Sequence, residues 1–332
     1  MLVVNSAWVV AGKVVAVFLG LTLNALLARL LSPESLGTYF LFISIVSVSA
    51  VIAQLGMKQA IVRLVAQSRA MAQPARARQA VRTSFAWVVA TTLVVSLLMM
   101  AGGGEWLAVS LFKSPILVQV AWLIAPFIVW VALHNQMVET LRGFNDIRMA
   151  TIFGEVIIVT LSTVAFFVLW LSTGESDLVT ALLISLVAGV SATVFGGVVL
   201  GGRLSRLGEG EGRISSAELF GIAIPLYLVG LASYVVAQFD IWIIGAYRPE
   251  SDVALYGAAI KLAILIIAPL TMVNAALAPV IAEMFVQDKH QELEKILRVA
   301  ATVATALALG ALLIFVLAGE AVLGLVFGEF YR

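Results

Sequence analysis

The sequence contains no cysteine, which excludes disulfide frameworks, thiolate nucleophiles and cysteine metal sites. Histidine is nearly absent as well: His134 and His290 are the whole supply. One histidine without a second suitably spaced ligand makes no metal site, and no nucleophile–base constellation stands out, so neither a metal, a cofactor nor an enzymatic reaction is expected. Charged residues make up only 12% of the chain, against about 25% in soluble domains. The net charge of +1 offers no bulk basic field for nucleic acid. Alternating apolar and polar residues are missing, which excludes a membrane barrel. Residues Met1–Asn5 carry no positive charge, and the apolar run after them extends past Leu30. That is longer than the roughly 7–15 apolar residues of a cleavable signal, so the run is a retained first span. With 62% apolar residues, the chain is an all-α polytopic membrane protein.

A helical span needs about 20 apolar residues. Such runs fall near 4–31, 35–56, 82–103, 116–138, 149–172, 178–201, 217–245, 253–283 and 297–318, giving nine spans. Ser32-Pro33-Glu34 supplies an N-cap, a proline at the first helical position and an acid in the first turn, and so starts the second helix. Pro126, Pro225 and Pro269 fall inside spans four, seven and eight, where each removes a backbone donor.

Basic residues alternate between loops. Fourteen of the 20 lie on one side: Lys58, Arg63, Arg69, Arg76, Arg78 and Arg82, then Arg142 and Arg148, then Arg203, Arg206 and Arg213, then Lys289, Lys295 and Arg298. The opposite loops hold Lys113, Arg248 and Arg332, and only Lys13, Arg29 and Lys261 fall within spans. Excess Lys and Arg mark the cytoplasmic side, which places the N-terminus inside. The stretch Met57–Arg82 reads as an amphipathic segment lying on the anionic leaflet. Trp106 and Phe112, after Gly102-Gly103-Gly104, suggest a short outer interfacial helix anchored by aromatics.

An internal repeat runs through the chain. Leu31-Ser32-Pro33-Glu34-Ser35 with Tyr39 matches Tyr247-Arg248-Pro249-Glu250-Ser251 with Tyr256, at an offset of 216 and then 217 after one inserted residue. Asn24 aligns with Asp240, and Gly104-Glu105 with Phe112 recurs as Gly319-Glu320 with Phe327. An offset of six helices makes the copies parallel, related by an axis along the membrane normal. The expected organisation is a six-helix lobe at 1–201, a cytoplasmic linker at 202–216, and the first three helices of a second lobe at 217–332. A complete second copy would need three more helices, so the chain reads as a C-terminally incomplete twelve-helix protein. A genuine nine-helix protein is the other reading.

Ionisable side chains within spans are costly and default to functional candidates. Lys13 lies near the middle of span one and is a candidate for holding an anionic headgroup, or for pairing structurally with a carboxylate. Arg29, near the outer end of that span, can simply snorkel. Lys261 and Asp240 sit in the outer halves of adjacent helices, where a neutralising pair is expected. Asn24, Gln54, Gln238 and Asn274 can bond a sugar or act as interhelical glue. His134 and Glu139 at the inner end of span four, and Glu155 early in span five, suit either interfacial capping or a coupling role.

The opening stretch Asn5-Ser6-Ala7-Trp8, Gly12-Lys13, Asn24, Leu27-Ala28-Arg29-Leu30-Leu31-Ser32-Pro33-Glu34 and Gly37-Thr38-Tyr39 resembles the N-terminal signature of the oligosaccharide and polysaccharide flippases. These share a superfamily with the MATE drug exporters and the lipid II flippases. Asp240-Ile241, Ile244-Gly245, Val253, Tyr256-Gly257-Ala258-Ala259 and Lys261-Leu262 are similar to that family's seventh-to-eighth helix region. The resemblance implies a MATE-like two-lobe fold of parallel six-helix repeats. It also implies transfer of an undecaprenyl-diphosphate-linked oligosaccharide across a bacterial inner membrane for cell-surface polysaccharide synthesis. It argues for Arg29 joining Lys13 and Lys261 as a functional cation; the polar residues read above as candidates to line such a cationic cavity are Asn24, Gln54, Gln238, Asp240 and Asn274. The partners it implies are that lipid-linked sugar, membrane lipids, and a polysaccharide polymerase or glycosyltransferases.

Gly208-Glu209-Gly210-Glu211-Gly212 is not a nucleotide loop: it follows a membrane helix, lacks the lysine, and presents two carboxylates that repel phosphate. Two rival functions stand beside the flippase. A cation-coupled drug exporter wants carboxylates in the first lobe, where span one offers none. A truncated, inactive paralogue would serve only as a membrane interaction protein.

Overall fold

The computed structural model describes residues 2–207, 214–286 and 289–331; the side chains of 2–10 and of most residues from 272 to 286 are outside the description. The linker motif at 208–212 therefore lies outside the described residues, as does Arg213.

Among the described residues, ten helices carry the chain. They are α1 (Leu2–Leu30), α2 (Pro33–Gln54), α3 (Met57–Ala70), α4 (Pro74–Leu111), α5 (Pro115–Gly143), α6 (Ile147–Ser172), α7 (Leu178–Ser205), α8 (Ser216–Tyr247), α9 (Glu250–Val286) and α10 (His290–Phe327). Among the described residues there is no strand, and all of these helices but α3 are long and apolar enough to cross a membrane. The chain is a multi-pass membrane protein. Helices satisfy their own backbone bonds in lipid, which is why the apolar runs became helices. Several extend past the windows read from hydropathy: α4 starts at Pro74 rather than near 82, and α10 at His290 rather than near 297. A window of apolar residues stops at the first charges, whereas backbone hydrogen bonding continues through them.

The helix starts follow their caps. Ser32 Oγ accepts from the Ser35 N–H at 3.2 Å ahead of Pro33, and Ser114 does the same for Leu117 at 3.1 Å ahead of Pro115. Ser215 accepts from Glu218 N at 3.1 Å to begin α8. Within α5, Pro126 falls in the first turn of regular α-helix that resumes at Ile124 after a 3₁₀ turn at Ala121–Leu123, where its missing donor costs least.

The basic loops gather at one end of the bundle. There Arg69 donates to the Phe144 carbonyl, Arg203 pairs with Asp146 at 2.7 Å, and Arg76 pairs with Glu218. At the opposite end Ser176 N donates to Leu30 O at 2.9 Å, and Arg29 donates to Leu325 O at 2.9 Å.

α2 and α9 cross near their first turns: Gly37 comes so close to Glu250 and Ala254 that a Cβ would overlap backbone. Phe40 covers Gly257 in the same way. The side chains between the halves form one core with Leu36, Leu41, Val253, Ala254 and Ala258 all buried.

Two local expectations are corrected. The apolar face of α3 does not lie on a leaflet. Met57, Ala60, Ile61, Leu64 and Val65 are buried in a cluster with Val81, Ala132, Leu219 and Ala223, because α4, α5 and α8 offer an apolar surface closer than lipid. The region around Trp106 is not a separate interfacial helix. α4 continues to Leu111 through π turns at Met99–Gly103 and Leu107–Leu111, kinked where Gly102 has φ 114°. Trp106 is exposed there, but Phe112 is buried edge-on against Trp242, with ring centroids 6.1 Å apart.

Candidate functional site

One face of α1 repeats at helical spacing: Lys13, Ala16, Val17, Gly20, Leu21 and Asn24 fall within three turns on a single side. That side borders a cavity of about 390 Å³ shared with Glu155 of α6 and with Lys261, Ile264 and Thr271 of α9. The small residues are why room exists, since Gly20 and Ala16 withdraw from a helix whose neighbours are Leu and Val. Two ammonium groups, one carboxylate, an amide and a hydroxyl thus converge on an otherwise apolar space between the two sets of helices.

Each polar group is held differently. Asn24 Nδ2 donates to the Gly20 carbonyl at 2.6 Å, one turn back on its own helix, which leaves its side-chain oxygen as an acceptor. Glu155 lies 3.6 Å from Arg142, whose other nitrogen donates to Glu139 at 2.8 Å, so both acids share one guanidinium. Glu155 follows Gly154 within a π turn, Ile152–Val156, a helical irregularity often found at functional positions. Lys261 stands 5.7 Å from the centroid of the Phe40 ring, within cation–π reach.

The expected pair between Lys261 and Asp240 is not formed. Asp240 accepts instead from the Tyr256 hydroxyl at 2.9 Å on the exposed side of α8 and α9, while Lys261 faces the cavity. The helical turn decides this: Tyr256 and Lys261 are five residues apart and so leave α9 on different sides.

Arg29 is exposed and bonds the Leu325 carbonyl near the end of α10. It borders a separate apolar groove of about 410 Å³ with Phe18, Trp170, Leu262 and Leu265 rather than the charged cavity. Gln54 is buried within the first set of helices, where its Nε2 donates to Ala132 O at 3.2 Å. That places it as interhelical glue away from the cavity. Gln238 is half-buried on α8 and is not among the residues that border the charged cavity. The Asn274 side chain lies outside the described residues.

His134 is not an interfacial cap. α5 continues nine residues beyond it to Gly143, and the ring is only 6% exposed. Its Nδ1 meets Thr193 Oγ1 at 2.9 Å, and Trp130 Nε1 donates to the same oxygen at 3.2 Å.

Thr271 is a polar residue of the cavity that was not among the sequence candidates. Its signal was spacing, because Lys261, Ile264 and Thr271 fall on one stripe of α9. No group of His, Cys, Asp and Glu among the described residues could hold a metal ion.

Among the described residues, nine helices are apolar and long enough to cross a membrane, and three of them, α1, α6 and α9, border the charged cavity: the protein is of the multi-pass membrane class. The chain belongs to the polysaccharide biosynthesis protein family, whose model matches residues 2–285. Solved structures share the fold. A multidrug resistance MATE family transporter of the MOP superfamily, in an inward-facing conformation, matches with TM-score 0.72 at 18% identity, covering 94% of this chain and 72% of that one. A MOP superfamily transporter from Pyrococcus furiosus Vc1, described by the reversed polarity of its binding pocket, matches with TM-score 0.64 at 17% identity over 99% of this chain and 76% of that one. A MATE protein in complex with MaD3S matches with TM-score 0.60 at 17% identity, over 99% and 76% of the two chains. No curated protein matches the sequence.

Proposed function

We propose that this protein is a flippase that carries a lipid-diphosphate-linked oligosaccharide from the cytoplasmic to the outer leaflet of a bacterial inner membrane, with its basic loops and N-terminus in the cytoplasm. The observation that carries the reading is the presence of Lys13 and Lys261 on one cavity with a single carboxylate, Glu155. Lysine and arginine bind phosphate oxygens through charged donors, and a cavity with more ammonium than carboxylate repels a cationic drug. Asn24 and Thr271 add neutral groups suited to hydroxyls of a sugar. The polysaccharide biosynthesis family and the transporter fold support movement of a sugar precursor. Rearrangement between α1 and α9, where the cavity lies, would expose it alternately to the two sides.

Reconstitution in liposomes with a labelled undecaprenyl-diphosphate sugar tests the reading. Lys13→Ala and Lys261→Ala should each slow headgroup crossing by about tenfold or more, and Lys13→Arg should keep most of the rate. Unchanged crossing in the double alanine variant would rule out a cationic substrate site.

A further inference from the structure

The seam between α1 and α9 has a second side. On α1, Val17 and Asn24 border the charged cavity, and the residues that follow them, Phe18 and Ala25, border the apolar groove. On α9, Lys261 and Ile264 give way in the same manner to Leu262 and Leu265. Neighbours on a helix leave it about 100° apart. The two spaces therefore flank one line of helix contact, and Leu21 borders both.

The groove has an apolar floor and one charged rim. Leu26 and Leu262 form the floor, at 7% and 4% exposed. Trp170 of α6 borders it, and so does the part of α10 beyond the kink at Ala318. Among the described residues that border it, Arg29 alone is charged. Arg29 gives one N–H to the Leu325 carbonyl at 2.9 Å, which is among the last four of α10 and so lacks a partner within the helix. A guanidinium carries five N–H donors, and among the described residues no carboxylate forms an ion pair with Arg29. Lys13, Lys261 and Arg29 are the basic residues of the apolar runs, and all three border one side or the other of this seam. Lys13 and Arg29 stand about 24 Å apart along α1. One phosphate cannot reach both, so Arg29 needs a partner of its own.

We propose that this groove is a docking site for a single-chain lipid phosphate, with its hydrocarbon chain on Leu26 and Leu262 and its phosphate on the Arg29 guanidinium. The two are complementary at both ends: guanidinium donates in pairs to phosphate oxygens, and the floor offers apolar surface to a chain. A space of about 410 Å³ takes one chain, whereas a diacyl phospholipid brings two. Arg29 lies at the end of the bundle away from the basic loops, where Ser176 N bonds the carbonyl of Leu30, the residue after it. A polyprenyl lipid that had passed its headgroup through the cavity would meet Arg29 as it left. That exit role rests on the flippase reading, whereas the binding of a lipid phosphate does not.

Photolabelling in phosphatidylcholine nanodiscs tests the proposal without any sugar. The probe is a polyprenyl monophosphate with a diazirine in its chain, and peptide mass spectrometry locates the label. Label should fall on the groove, near Phe18, Leu265 and Leu325. Arg29→Gln should cut it by about tenfold, and Arg29→Lys should restore most of it because the charge returns. Thr22 is exposed and borders the groove, so Thr22→Trp should block the chain while Arg29 is intact. Undiminished labelling in Arg29→Gln, as expected if that side chain only caps α10, overturns the proposal, and so does undiminished labelling in Thr22→Trp. Displacement of the probe by phosphatidylglycerol as readily as by unlabelled polyprenyl monophosphate overturns it too. Groove labelling with no headgroup crossing in liposomes would overturn the flippase reading and leave the site standing. Crossing in a protein whose groove takes no label would do the reverse.

Discussion

Phe40 lies across Gly257, the position with which the sequence repeat aligns it. The two positions are 217 residues apart, the offset that also relates Tyr39 to Tyr256. Gly37 meets Ala254 at the same offset, with the Ala254 nitrogen 3.2 Å from where a Cβ would stand. α2 and α9 are therefore fitted large against small where they cross. The same Phe40 ring also faces Lys261, one turn along α9 from Gly257.

Enlarging Gly257 should disrupt this fit. A Cβ at 257 overlaps the Phe40 ring, so Gly257→Val is expected to destabilise the protein by about 1–3 kcal/mol through overpacking. Thermal unfolding in detergent measures it. Pairing the substitution with Phe40→Ala should restore much of the loss, because the ring is what the new side chain meets.

Neutralising Glu155 should strengthen anion binding. The carboxylate offsets the ammonium groups of Lys13 and Lys261 across the cavity, and it also occupies Arg142 at 3.6 Å. Removing its charge by Glu155→Gln should tighten binding of inorganic sulfate by roughly fivefold, or about 1 kcal/mol at a semi-polar effective dielectric. Titration calorimetry in nanodiscs reads this directly. Weaker binding in the variant would mean that the carboxylate helps to hold the ligand.

Acid should loosen the start of α7. Asp177 caps that helix by accepting from the Thr180 hydroxyl at 2.6 Å and from the Thr180 N–H at 3.1 Å. The hydroxyl bond is the larger cause that holds its carboxyl below the usual value, and the backbone N–H adds to it. A depressed folded value means that the stabilisation is full above the unfolded carboxylate range and fades as pH falls through the folded value. The group is exposed, so solvent screens much of the effect. Asp177→Ala should cost about 1 kcal/mol at neutral pH and little in acid, and Asp177→Asn should keep most of the cap; melting curves across pH distinguish the three proteins.

Much of this architecture was legible beforehand, for physical reasons that can be named. Spans are legible because lipid forces long apolar runs into helices, and Ser32-Pro33-Glu34 marks a helix start by local chemistry alone. Lys13, Asn24, Glu155 and Lys261 could be singled out because charge and amide groups are expensive at membrane depth, and the structure brings these four to one cavity. Partnership was less legible. Nothing along the chain says that Asp240 would turn to Tyr256 instead of Lys261, since that choice depends on the rotation of α9 about its axis. The burial of His134 was hidden for a related reason. Glu139 and Arg142 look like the end of a span, but they continue α5 as a helix and leave the ring far from the surface. The apolar face of α3 could be read, but not whether lipid or protein would cover it.

Three glycines set what can move. Gly154 backs onto Val138, Gly189 takes the indole of Trp130 against its bare Cα, and Gly196 receives Met137. Helices α5, α6 and α7 are thereby clamped together with no slack between them. Under the function proposed above, a wedge fitted this closely would move as one piece, and the opening would run along the seam between α1 and α9, where the cavity lies.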